Sequence, residues 1–214
     1  MEILSHRGYW KRPAEKNSTA AFRRSFELGY GTETDLRDVN SQLVISHDMP
    51  DSNAIAVDVL FSLYNRSKFH CRPTLALNVK ADGLQKLVSE KLNHYHIQNY
   101  FLFDMSIPDL IAYKEEGLKF FVRFSEYEPE SPLLEDAAGV WLDGFKETIL
   151  DESLISSLLI RNKKVCLVSP ELHAREHFPV WQRIKRLPDS ILSSNNFLLC
   201  TDLPEDATRF FYGN

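Results

Sequence analysis

The chain is short of the features that define several protein classes. It has three cysteines in 214 residues: Cys71, Cys166 and Cys200 lie far apart and form no CxxC pair. Neither a disulfide framework nor a cysteine-based zinc site is therefore expected. Cys166 and Cys200 fall inside apolar runs (KVCLVS, FLLCTD) and read as buried thiols. No apolar run approaches the roughly 18 residues of a membrane-spanning helix. The opening residues, MEILSHRG, lack the basic start and long apolar stretch of a secretion signal, so stable membrane insertion is not expected and a cytoplasmic protein is. There is also no basic stripe. The net charge is −5, and the densest cationic stretches, Arg161 to Lys164 and Arg183 to Arg186, read as solvated helix ends, so no nucleic-acid partner is expected. No internal repeat, low-complexity block or linker breaks the chain. With 43% hydrophobic residues it can bury one substantial core, and residues 1–214 are expected to form a single domain. Oligomeric state is not legible.

What the chain does have is alternation. Short apolar runs suited to strands recur at Ile3-Leu4, Thr32 to Leu36, Leu75 to Val79, Tyr100 to Phe103, Phe120 to Phe124, Val140 to Leu142, Val165 to Val168 and Phe197 to Cys200. Leu43 to Ser46 reads as the return arm of a short hairpin after the second strand. Helical periodicity lies between them, at Thr19 to Leu28, Leu84 to Leu92, Pro108 to Glu116, Leu150 to Ile160, Phe178 to Leu187 and Glu205 to Phe211. Asn17 or Ser18 is placed to cap the first helix. Glu126 to Glu135 reads as an acidic loop. Alternating strands and helices imply parallel strands with crossover helices, and eight such units favour a compact (β/α)8 barrel of the α/β class. In that fold the groups at the C-terminal strand ends form the site. His6-Arg7, Glu33/Asp35, Asn78/Lys80, Asp104, Asp143, Glu171 and Thr201-Asp202 all hold such positions.

The chemistry concentrates early. Glu33 and Asp35 are two residues apart on a predicted strand, so both carboxylates share one face. Two carboxylates there repel unless a proton or a cation neutralises them, and a hard divalent ion, Mg²⁺ or Ca²⁺, suits oxygen ligands and a phosphate. His6 and His47 flank the pair, and imidazole titrates near working pH, as general acid–base work requires. Asn78 and Lys80 repeat the same-face spacing on the third strand. Lys80 would hold a phosphate oxygen as a point charge and Arg7 would clamp one through two donors. His70, His94, His96 and His177 have no comparable context and read as structural or surface histidines. Trp141, Glu171 and His173 stand at late strand ends, where they would line a pocket.

The segments HRG, then the helix start at Asn17-Ser-Thr-Ala-Ala-Phe, then ETD and SHD, resemble the glycerophosphodiester phosphodiesterase family of the phospholipase C-like superfamily. LLCTDLPEDA near the end resembles that family's closing strand and turn. The resemblance implies a (β/α)8 barrel that hydrolyses a small-molecule phosphodiester with one divalent cation. His6 and His47 would be the acid–base pair, Glu33 and Asp35 metal ligands, and Arg7 and Lys80 phosphate contacts. The resemblance to the wider superfamily also implies an alternative in which a hydroxyl of the substrate replaces water as the attacking group, which would yield a cyclic phosphate. Three departures stand out. Asn78 occupies the place of a third acidic ligand, with Asp82 a less favoured substitute. Lys16 stands where the family has a glutamate, although Glu15 is adjacent. Only Met49 to Pro73 separates the SHD segment from the third strand, so the family's substrate-covering insertion is reduced. Two other readings remain. One is a barrel that binds a phosphodiester but is catalytically impaired. The other is a sugar-phosphate isomerase, which the lack of a Gly-rich loop after the seventh strand disfavours.

Overall fold

In a computed structural model of the chain, residues 1–51, 53–68 and 72–213 are described; His70 and Cys71 lie outside them. The chain begins with β1 (Glu2–His6), α1 (Thr19–Glu27), β2 (Gly31–Val39), β3 (Gln42–Ile45), β4 (Ile55–Ala56), α2 (Val57–Arg66) and β5 (Leu75–Val79). It continues through α3 (Gln85–His94), β6 (Tyr100–Phe103), α4 (Ile107–Glu115), β7 (Phe121–Phe124), β8 (Gly139–Leu142) and α5 (Glu152–Ile160). It ends with β9 (Lys164–Val168), α6 (Phe178–Ile184), α7 (Asp189–Leu192), β10 (Phe197–Thr201) and α8 (Pro204–Tyr212). Two compact units divide these elements: Ser5–Phe120, and Met1–Leu4 with Phe121 onward.

In the N-terminal unit, β5 pairs in parallel with β2 on one side and β6 on the other, with Asp35 opposite Asn78 and Asn78 opposite Phe103. β2 outruns its parallel neighbour and turns back as the hairpin β2–β3, antiparallel with Leu36 opposite Ile45; β4 adds a short antiparallel edge. One face of these strands packs on helices. Leu36, Leu75, Leu77 and Val79 join Phe22, Phe26, Leu60, Phe61, Val88 and Leu92 in one buried cluster. Period-two alternation then sends Glu33, Asp35, Asn78 and Lys80 to the opposite face.

Local chemistry accounts for the helices. Ser18 caps α1, its Oγ accepting the Ala21 N–H at 3.2 Å, and the Ala21, Phe22 and Phe26 stripe is buried. Ser106 caps α4 ahead of Pro108, and the Asp151 carboxylate accepts the Ser153 and Leu154 N–H groups at the start of α5. Gly8, just after β1, has φ +78°, and a Cβ there would fall 2.8 Å from the Ala21 Cβ. Only glycine fits that close approach of the HRG turn to α1.

In the C-terminal unit, β7, β8, β9 and β10 pair in parallel in sequence order. The eight expected strands are thus all present, two with the expected boundaries and the others with ends shifted by no more than three residues. Cys166 and Cys200 are fully buried thiols on β9 and β10. Residues 126–135 contain neither helix nor strand. The additions to the expected strands and helices are β4 and α2, inside the segment between Met49 and Pro73, and the short α7.

Candidate active site

The strand register of the N-terminal unit brings the early polar residues to one end of β1, β2 and β5. The Arg7 N–H donates to the Glu33 carbonyl at 2.9 Å, the Ser46 N–H to the Asp35 carbonyl at 3.1 Å, and the Lys80 N–H to the Leu36 carbonyl at 2.9 Å. Side chains from His6 to Lys80 therefore converge on the Glu33–Asp35 face.

Asp35 is the hub. Fully buried, it accepts a hydrogen bond from Asn17 Nδ2 at 2.8 Å through Oδ2. Arg7 Nε lies 3.2 Å from the same oxygen, and Lys80 Nζ lies 3.7 Å from Oδ1. Lys80 also faces Asp104 Oδ2 at 3.5 Å. Glu33, 2% exposed, accepts the Arg7 backbone N–H at 3.2 Å and has His6 Nε2 at 3.8 Å. Burial, followed by repulsion from Asp35, pushes the Glu33 carboxyl well above the ordinary carboxylate range; Arg7 and Lys80 oppose this only in part. Arg7 adopts φ +57°, a left-handed conformation that L-residues other than asparagine and aspartate seldom hold, so the turn after β1 carries backbone strain.

The remaining first-half residues divide. His6 is mostly buried, and its carbonyl accepts the Trp10 indole N–H at 3.2 Å. Lys16 Nζ lies 4.6 Å from the Trp10 ring centroid. His47 stands on the exposed loop that β3 returns alongside Asp35, its Nδ1 2.9 Å from Asp48 Oδ1 and its carbonyl held by Arg37 Nε at 3.1 Å. Asp82, the less favoured substitute ligand, accepts the Ser106 hydroxyl at 3.0 Å and lies against Asp109.

Two contributors are new. Asn17 was a candidate helix cap, but Ser18 takes that role. The Asn17 amide instead spans β2, donating to Asp35 and accepting the Thr34 hydroxyl at 2.8 Å, with its own N–H on the Arg7 carbonyl at 2.9 Å. The presence of two adjacent capping residues was the available signal, since only one can cap. Asp104, in sequence only a polar residue at a strand end, is the second carboxylate on Lys80.

Among the described residues no group of three His, Cys, Asp or Glu side chains is arranged to hold a metal ion. The third donor of the expected set is an amide, and the fit turns on it. Asp35 Oδ1 and Asn78 Oδ1 are both buried and accept no hydrogen bond, and they sit on directly paired positions of β2 and β5. Two orphaned oxygens beside a second carboxylate suit a hard divalent ion.

The late-strand residues belong to the C-terminal unit. Trp141 is on β8 and 4% exposed. The Glu171 carboxylate accepts the Ser169 and Thr201 hydroxyls and the Asp202 N–H, which ties the ends of β9 and β10 together. His173 keeps an accessible ring, with Nε2 bonded to Asp143 Oδ1 at 2.6 Å.

No protein-family model matches the chain, and no curated protein does. Solved structures do. The chain has a (β/α)8-barrel fold of the α/β class. It is similar to a glycerophosphodiester phosphodiesterase from Parabacteroides distasonis, at 16% identity over 99% of this chain and 96% of that one, with a TM-score of 0.73. It is also similar to a Ca²⁺-dependent phosphatidylinositol-specific phospholipase C from Streptomyces antibioticus, at 10% identity over 100% and 98%, TM-score 0.57. A phosphoribosyl anthranilate isomerase from Thermus thermophilus matches at 13% identity over 100% and 96%, TM-score 0.51. One fold thus spans different chemistries, and function has to be argued from the site.

Proposed function

We propose that the chain hydrolyses a phosphodiester of the glycerophosphodiester type, using one divalent cation, Mg²⁺ or Ca²⁺. The observation that carries this reading is the convergence of Glu33, Asp35, Asn78, Arg7, Lys80 and His6 on one strand-end face. The structural likeness to phosphodiesterases that work on such esters supports it. Glu33, Asp35 and Asn78 would hold the ion. When bound, it supplies positive charge that stabilises negative charge developing on the phosphate oxygens. Arg7 and Lys80 hold the phosphate through charge-assisted hydrogen bonds. One of His6 and His47 takes the proton from the attacking oxygen and the other delivers a proton to the leaving oxygen. Water as the attacking group gives hydrolysis, and a substrate hydroxyl gives a cyclic phosphate.

The test is turnover of bis(4-nitrophenyl) phosphate with Mg²⁺, with Ca²⁺ and with chelator. The expected result is cation-dependent turnover that falls by about 10²–10⁴ in His47→Ala and in His6→Ala. Absence of turnover with either ion, while the phosphodiester still binds, would replace the enzyme with a binding module.

A further inference from the structure

The N-terminal unit has a second concavity, away from the strand-end face. It is a groove of about 480 Å³ between α1 and α2, floored by Phe26 and Leu63 and walled by Arg23, Glu27, Arg66 and Lys68. α1 leads into the start of β2 at Gly31, and α2 toward the start of β5 at Leu75. Their last turns frame the groove, which therefore lies at the opposite end of the strands from Asp35, Asn78 and Lys80. The floor is fixed. Phe26 is 1% exposed, its ring meets Tyr64 of α2 edge-on at 5.5 Å, and the Tyr64 hydroxyl donates to the Pro73 carbonyl at 2.8 Å.

What marks the groove is its charge. Arg23, Arg66 and Lys68 are exposed, and among the described residues none of the three pairs with a carboxylate. Other cations of this unit do, Arg24 with Glu15 and Lys91 with Asp58. Glu27 follows Arg23 by one turn of α1, in the weaker order for a helical ion pair, and the two do not bond. Basic residues at the end of a helix often serve its last carbonyls. In α2 that role falls to Ser67, whose N–H donates to the Leu63 and Tyr64 carbonyls at 3.1 and 3.3 Å. The Ser67 hydroxyl adds a bond to the Leu63 carbonyl at 2.9 Å. Arg66 and Lys68 are thus left for another partner. Against the single Glu27 carboxylate, the groove keeps a surplus of two positive charges.

This surplus selects the occupant. A ligand that neutralises it brings two negative charges on one compact group. Two guanidinium forks and an ammonium suit the oxygens of a phosphate monoester, which is a dianion near neutral pH. The space is that of a small-molecule site and exceeds what a bare phosphate fills. Its apolar floor gives an organic group on the phosphate a place to lie. An anionic bilayer is met by protruding apolar side chains, whereas Phe26 and Leu63 are recessed between helices.

We propose that the α1–α2 groove binds a small organic phosphate monoester, with its dianion on Arg23, Arg66 and Lys68 and its organic group on Phe26 and Leu63. The groove is separate from the candidate active site and holds whether or not the phosphodiesterase reading does.

Residue-resolved NMR titration of the full chain tests it, with phenyl phosphate, inorganic phosphate, phenyl sulfate and hexaglutamate as probes. Phenyl phosphate should shift the amides of residues 23–27 and 63–68 saturably, with the other three probes weaker there. Groove affinity should fall by about tenfold in Arg23→Gln and in Arg66→Gln, as expected for loss of one charge-assisted contact. Lys80→Gln, at the candidate active site, should leave it unchanged. Leu63→Ala should weaken phenyl phosphate several-fold and spare inorganic phosphate. Thermal melts matched to the parent separate lost contacts from lost folding; if Leu63→Ala fails to fold, phenyl phosphate against inorganic phosphate on the parent decides the role of the floor. The proposal is overturned by absence of saturable groove shifts, by unchanged affinity in folded Arg66→Gln, or by inorganic phosphate or phenyl sulfate binding as tightly as phenyl phosphate. Tighter binding of hexaglutamate would replace the monoester with an acidic peptide. Sedimentation with phosphatidylglycerol vesicles that is lost in Arg66→Gln, without phenyl phosphate binding, would replace it with a membrane.

Discussion

At the scale of single residues, the site turns on Asn78 and Asn17. Asn78 offers an amide oxygen where its register partner Asp35 offers a carboxylate, so the cation would lack one formal negative charge. Asn78→Asp restores that charge, and divalent affinity is expected to rise by about tenfold or more, measured by calorimetric titration. An unchanged affinity would remove position 78 from the ligand set. Asn17 acts at one remove, by orienting Asp35. Asn17→Ala removes two side-chain hydrogen bonds at a position with φ +56°, a conformation alanine holds under strain. The expected cost is about 1–3 kcal/mol in denaturant unfolding. The two asparagines also show what was legible. Asn78 could be placed from its spacing to Lys80, because period-two alternation is local. The link from Asn17 to Asp35 could not, because it joins a loop to a strand 18 residues on and depends on how β2 pairs.

At the scale of elements, the strands were legible because each short apolar run is bounded by polar strand ends, whereas α2 was not. Its apolar positions, Val57, Leu60, Phe61 and Tyr64, follow helical spacing and are fully buried. The β-branched Val57 and Val59 in its first turn favour strand locally, and burial of the helix against Leu36, Leu75 and Leu77 overrides them. The acidic loop after β7 was read correctly as a loop, but nothing in EYEPESPLLE announces that Glu126 organises a turn 20 residues away. Three backbone N–H donors hold the Glu126 carboxyl down to about 2. Its contribution to the turn is therefore complete above the ordinary glutamate value near 4.5 and is lost as pH falls through about 2. Amide resonances of Phe145, Lys146 and Glu147 should move together over that acidic window, and Glu126→Gln should abolish the common transition. Independent titrations of the three would mean that the carboxylate does not organise them.

For the molecule as a whole, the fold was legible from the order of eight strand–helix units. The barrel architecture is shared with solved structures at 16% and 10% identity. The site residues of the N-terminal unit span β1 to β6, so a ligand that joins them couples binding to the stability of that whole unit. A divalent cation at about 100 times its dissociation constant should stabilise the native state by about 2.7 kcal/mol. For a chain of this length that corresponds to a rise in Tm of roughly 5–10 °C, reversed by chelator. A scan that is flat with both Mg²⁺ and Ca²⁺ would argue against a specific cation site.

Trp10 adds an optical consequence. The chain has three tryptophans; Trp141 and Trp181 are 4% and 2% exposed, while Trp10 is only half-buried. Its indole hangs from the His6 carbonyl with the Lys16 ammonium over its face. Excited indole responds to nearby charge, so the emission colour and intensity of Trp10 should report the arrival of an ion or a phosphate at Glu33 and Asp35 without any added label. Trp10→Phe would silence that signal and leave the two buried fluorophores as an internal reference.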